Sequence, residues 1–166
     1  MRWKISFLLS FTIFLLFGCS LSTQEVKEAT LDVIEKAFQE EPIKSNQTID
    51  NISFYLPKSI EIESSSGNNI ILSEGNQQYI LFINKNEEKT SDLLYQKGLD
   101  SSVEIIIDET KVTENEYKYT IVNKLSDDTY EVIAGLGGAK ITTLVESQDV
   151  AESVQKMIDI IQSVQY

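Results

Sequence analysis

The side chains that could do chemistry are unevenly represented in this chain of 166 residues. It contains no histidine and a single cysteine, Cys19. A serine or cysteine nucleophile activated by histidine is therefore excluded. A zinc site built from cysteine and histidine is excluded on the same ground. Serine–lysine chemistry stays open, because both residues are plentiful. Carboxylates dominate, with 26 Asp and Glu against 14 Lys and Arg. Three pairs stand close together: Glu61 and Glu63, Asp108 and Glu109, Asp127 and Asp128. A glycosidase needs two such groups, one of them with a raised pKa in a cleft. The alternate spacing of Glu61 and Glu63 instead puts both on one strand face in water. Asp127-Asp128, inside Ser-Asp-Asp-Thr, reads as a turn.

Three further patterns could bind a ligand. Gly135-Leu136-Gly137-Gly138 looks like part of a phosphate loop. It lacks the full glycine spacing and the lysine of a nucleotide site, and a strand rather than a helix follows it. A turn or bulge that needs positive φ explains it better. Asn84-Lys85-Asn86-Glu87-Glu88 offers oxygens at alternate positions but lacks the glycine and distant glutamate of a calcium loop. It reads as a solvated loop. Tyr117 and Tyr119 fall on one strand face, where tyrosine serves either an interface or ordinary strand preference.

The lone cysteine stands in a distinctive setting. Arg2 and Lys4 precede an apolar run from Ile5 to Phe17, which ends at Gly18-Cys19. A basic start, a short apolar stretch and a small residue before the cut are the parts of a secretory signal. About 13 helical residues would span ~20 Å, short of the ~30 Å hydrocarbon core. Leu16-Phe17-Gly18-Cys19 resembles the lipobox of bacterial lipoproteins, although Phe17 is bulkier than the family usually carries there. The resemblance implies recognition of Leu16, Phe17 and Gly18 by the signal peptidase, a diacylglyceryl group on the Cys19 thiol, and cleavage just before Cys19. Two acyl chains hold a protein stably on a membrane where one holds it only reversibly. The expected location is the extracytoplasmic face of the cell membrane.

Removal of residues 1–18 takes Arg2 and Lys4 with it, leaving 12 lysines against the same 26 acids, a net charge of −14. Nucleic acid is excluded as a partner, since phosphate binding runs on lysine and arginine. The surface should also be repelled by anionic headgroups. No disulfide can form within one chain, so stability must come from packing.

The elements follow from periodicity. Ser22-x-x-Glu25 is a capping box, and Val26, Ala29, Val33, Ile34, Ala37 and Phe38 place one apolar stripe on a helix behind it. Alternation then predicts strands around Ile52–Leu56, Ile60–Ile62 and Ile70–Leu72. Gly75-Asn76 signals a hairpin before Gln78–Ile83. The run YILFI is apolar on both faces, which predicts a central strand. Ser91 caps a short helix stopped at Lys97-Gly98. Four strands follow, over Val103–Ile107, Tyr117–Val122, Tyr130–Ala134 and Ala139–Val145, and an amphipathic helix closes the chain over Val150–Val164. The expected class is α+β: an antiparallel meander covered by N-terminal, central and C-terminal helices. The expected organisation is a cleaved signal over 1–18, a lipidated N-terminus and helix over 19–49, and an α+β domain over 50–166.

That domain resembles the PsbP-like fold, named for the photosystem II extrinsic protein and found also in bacterial lipoproteins. The resemblance rests on ISFYLP (Ile52 to Pro57), the hairpin from Ile70 to Ile83, the short central helix, GGAKITTL (Gly138 to Leu144) and MIDIIQSV (Met157 to Val164). It implies roles mostly in protein binding and carries over no functional residue, cofactor or metal. The sequence therefore points to a non-enzymatic, lipid-anchored interaction module with a protein partner at the cell envelope. The alternatives are a small-ligand or cation-binding lipoprotein and, behind it, a carboxylate-dependent hydrolase.

Overall fold

The structure, a computed structural model, describes residues 21–99 and 102–166. It is an α+β protein with antiparallel sheets. Helix α1 spans Thr23–Ala37, and its capping box is formed: the Ser22 side chain accepts from the Glu25 N–H, and the Glu25 carboxylate accepts from the Ser22 N–H at 2.9 Å. The stripe it buries is Val26, Thr30, Ile34, Ala37 and Phe38, not one that includes Ala29, which is exposed. These side chains join the main core, so α1 is packed structure rather than spacer.

Strands β1 (Gln47–Ile49) and β2 (Ile52–Phe54) form a separate two-stranded sheet. Asp50 and Asn51 join them with φ of 48° and 68°, the left-handed pair that a tight two-residue hairpin demands. The sequence reading missed β1, a three-residue strand of polar composition. The large sheet has seven strands: β3 (Glu61–Ser66), β4 (Asn69–Glu74), β5 (Gln77–Ile83), β6 (Glu104–Val112), β7 (Tyr117–Lys124), β8 (Thr129–Leu136) and β9 (Ala139–Glu146). Their spatial order is β3-β4-β5-β9-β8-β7-β6. This corrects the single meander expected from the sequence. Two meanders meet at the β5–β9 pair, because the chain leaves β5 through α2 (Leu93–Gly98) and re-enters at the far edge. Strand β5 is interior to the sheet, as its apolar run predicts. Helix α3 (Val150–Ser163) follows β9 through a 3-10 turn.

The sheet has two unlike faces. The inner face carries Ile70, Leu72, Tyr79, Leu81, Val122, Val132, Ala134 and Ile141 into one core with Val26 and Ile34 of α1 and Val154, Met157, Ile158 and Ile161 of α3. The outer face carries a smaller core: Tyr119, Ile121 and Ile133 with Leu94 of α2. Both long helices start at one end of the sheet. Thr23 Oγ1 lies 3.5 Å from Tyr130 Oη near the start of β8, while at the opposite end Lys111 Nζ donates to the Phe38 carbonyl at 2.6 Å.

Candidate functional site

The outer face is an ordered grid, because the strand registers align its side chains in rows. One row runs Thr110, Tyr119, Gly135, Lys140, Phe82 and Asn69 from β6 to β4. The next is Asp108, Ile121, Ile133, Thr142, Ile80 and Ile71. In the third, Asn123 pairs with Glu131 and Glu131 with Leu144.

Helix α2 seals the β7–β8 half of this grid. Leu94 packs on Tyr119, Ile121 and Ile133, and Gly98 is placed so that a Cβ would lie 3.3 Å from Ile121 Cδ1. Tyr119 lays its ring across β8, where a Cβ on Gly135 would collide with it. Among the described residues, the β4–β5–β9 half has no such cover. Ile80 is 46% exposed and Leu144 58%, with Phe82, Ile71 and Thr142 half-buried beside them. Two shallow depressions of about 520 and 460 Å³ share Ile80 and Thr142. Carboxylates Glu63 and Glu131 rim the first, and lysines Lys97 and Lys140 rim the second. Glu131 accepts from Asn123 Nδ2 and Glu63 from Gln78 Nε2, each at 2.9 Å. Neither lysine has an ion-pair partner among the described residues.

A polar cluster lies against the inner face. Lys156 Nζ sits 2.7 Å from Glu74 Oε2 and 2.7 Å from Glu152 Oε1. Tyr79 donates to Glu74, and Gln77 Nε2 donates to Thr143 and to Ser153 Oγ. Ser153 and Lys156 stand at the S-x-x-K spacing on α3, a pair the sequence reading passed over, so serine–lysine chemistry has its residue types here. The geometry opposes it. A lysine base needs a depressed pKa, whereas burial of Lys156 is outweighed by hydrogen bonds to Glu152 and Glu74, which push its pKa up. Burial raises the Glu74 carboxyl, but hydrogen bonds from Lys156, Ser59 and Tyr79 overcome this and hold it below its ordinary value. Tyr79 is pushed up to about 12, chiefly by burial. Ser153 is buried and lines none of the depressions described above. The cluster is a clamp between β4 and α3.

The other sequence candidates disperse. Glu61 and Glu63 lie on exposed edge strand β3, and a bulge at Ile62/Ser64 interrupts their strand face. Asp108 accepts from Tyr95 Oη at 3.2 Å, while Glu109 faces a separate groove beside α1. Asp127 pairs with Lys124 within the β7–β8 turn, and Asp128 accepts from Ser147, which ties that turn to the 3-10 turn after β9. Gly137 has φ of +55° in a two-residue hairpin, and a Cβ there would collide with the backbone of Glu88 and Lys89. The glycine run is thus a turn pressed against the 84–88 loop. In that loop Asn84 Oδ1 accepts from the Asn86 N–H, and Glu87 accepts from Ser91. Among the described residues, no three Asp, Glu, His or Cys side chains converge as a metal site would. Tyr119 is buried and Tyr117 half-buried, and Tyr95 meets the first edge-on at 5.4 Å and the second at a tilt at 5.5 Å, so this pair is not a free patch. Leu16, Phe17, Gly18 and Cys19 lie outside the described residues. No described helix is long and apolar enough to cross a membrane.

Compared with known proteins, the chain matches no family model and no curated protein. The bare half of the outer face is what sequence reasoning missed. Its signal was the run YILFI, apolar on both faces in a strand that the fold buries on only one.

Proposed function

We propose that this chain is a lipid-anchored extracytoplasmic lipoprotein, cleaved behind Gly18 and held to the membrane by diacylated Cys19. Its domain works without catalysis, as an interaction module for a protein of the cell envelope, and uses no cofactor. Residues 50–166 form a PsbP-like domain in this reading, with three helices over the antiparallel sheet. The observation that carries the interaction role is the exposed pair Ile80 and Leu144 on the half of the sheet face that α2 leaves open. Clustered apolar exposure of this kind marks a binding surface. The anchor reading draws on the lipobox-like residues and on the absence of linker: helix α1 begins four residues after Cys19.

Cell fractionation tests the anchor. Wild-type protein is expected in the membrane fraction with a mass that includes the lipid. Cys19→Ala is expected to lose the lipid and to accumulate with its signal uncut. The anchor reading fails if mature Cys19→Ala stays with the membrane as firmly as wild type.

A further inference from the structure

The bare half of the outer face has a polarity, and the polarity specifies what lies on it. Carboxylates Glu63 and Glu131 stand at the level of Leu144, and the lysines at the level of Lys140. Four strand residues separate these levels, about 13 Å at ~3.3 Å per residue. Between them the floor is apolar or small, Ile80, Ile71 and Thr142, and Phe82 continues it at the lysine level. Strands β9, β5 and β4 together are about 10 Å wide at ~4.8 Å per step, close to the diameter of one α-helix. Next to it, α2 already shows how this sheet takes a helix, with one leucine set among Tyr119, Ile121 and Ile133.

We propose that this half-face seats an amphipathic helix of a second envelope protein. The helix presents a cationic side chain to Glu63 and Glu131. About two and a half turns further on, at ~5.4 Å per turn, it presents a carboxylate to Lys97 and Lys140. Its apolar stripe rests on Ile80 and Leu144. The proposal rests on the interaction reading above and names the partner's chemistry.

A second copy of this chain does not fit. Helix α1 starts at the carboxylate end, where Thr23 meets Tyr130. Four extended residues reach at most about 14 Å, so a lipid on Cys19 holds that end of both copies toward the membrane. Two copies stacked face to face on one membrane then set lysines against lysines and carboxylates against carboxylates.

The test is photocrosslinking in cells that express the full chain. A benzophenone amino acid replaces Ile80, Leu144 or Asn69 on the face, or Val112 or Leu125, which are exposed elsewhere. Discrete adducts are expected from the face positions and not from Val112 or Leu125. The cross-linked peptides should map to one helical stretch, with Lys or Arg nearest the Leu144 adduct and Asp or Glu nearest the Asn69 adduct. Lys97→Glu with Lys140→Glu should cut adduct yield at least tenfold. An adduct between two copies of the chain, a mapped segment with the opposite charge order, or a yield within twofold of wild type in the double variant overturns the proposal. Adducts from Val112 or Leu125 alone overturn it and leave the interaction reading standing. No adduct from any of the five positions overturns both.

Discussion

The two halves of the outer sheet face are made by the same alternation of side chains and meet different fates. Over β7 and β8, α2 delivers Leu94 to a bed of Tyr119, Ile121 and Ile133, and water is excluded. Over β5 and β9, Ile80 and Leu144 are exposed, with none of the described residues covering them. Beneath them both halves are buried in one core, with Val122, Val132 and Ala134 on one side and Ile70, Leu72, Tyr79 and Leu81 on the other. The open half adds a charged tie from β4 to α3 through Glu74 and Lys156.

The contrast is broken most severely by closing the space that Tyr119 uses. Gly135→Ala puts a methyl group into the Tyr119 ring. A loss of about 3 kcal/mol is expected, at the upper end of overpacking costs, with exposure of the α2 seat. Urea unfolding measures the loss, and Tyr119→Leu in the same chain should recover most of it. Unchanged stability in Gly135→Ala would mean that the ring does not lie across β8. A matched pair comes next. Ile133→Ala removes a buried side chain and should cost about 3 kcal/mol; Ile80→Ala removes one half in water and should cost under about 1 kcal/mol. Equal losses would mean that the bare half is covered within the isolated chain.

The charged clamp gives a pH signature confined to the open half. Glu74 titrates below its ordinary value, so its contribution is present above the unfolded value of about 4.3 and is lost as pH falls through the folded one. Lys156 titrates above its ordinary value, so its contribution is present below about 10.4 and is lost as pH rises further. Between those limits the clamp is intact. Acidification from pH 6 to pH 3.5 should speed hydrogen exchange in the β4–β5 hairpin, corrected for intrinsic rates, more than in β7–β8. In Lys156→Met the difference should vanish. Parallel acceleration of both hairpins would assign the acid response elsewhere.

What was legible in the sequence was mostly local. The capping box, the Gly75-Asn76 hairpin and the closing helix each follow from residues within a few positions of one another. The β5–β9 pairing was not, because nothing near β5 says that its neighbour lies more than 50 residues on. The two-faced run YILFI placed β5 inside the sheet correctly. It could not say whether a helix of this chain or another molecule covers the second face, since both demand the same side chains. Ser153 and Lys156 show the converse. Their spacing fits a serine–lysine site, and only the carboxylates Glu74 and Glu152, brought from β4 and from one turn away, reveal a charged clamp.

The smallest effect probes what the sealed half gives up. The Tyr119 hydroxyl is fully buried and has no hydrogen-bond partner among the described residues. Burial pushes its pKa well up, with Tyr117 adding to the shift. A buried hydroxyl without a partner costs about 1–3 kcal/mol of desolvation that nothing returns. Tyr119→Phe keeps the ring over Gly135 and removes that cost. It should therefore stabilise the protein by about 1 kcal/mol, a rise of roughly 2–4 °C in thermal midpoint. A second readout separates this from general repacking. A phenol whose folded pKa lies above its unfolded value of about 10 loses stability as pH climbs past 10, because only the unfolded chain releases the proton. Tyr119→Phe should flatten that alkaline decline, while Tyr79, pushed up to about 12, and Lys156 continue to contribute to it. If Tyr119→Phe lowers the midpoint instead, the hydroxyl has a bound partner in solution, and the sealed half is wetter than its packing implies.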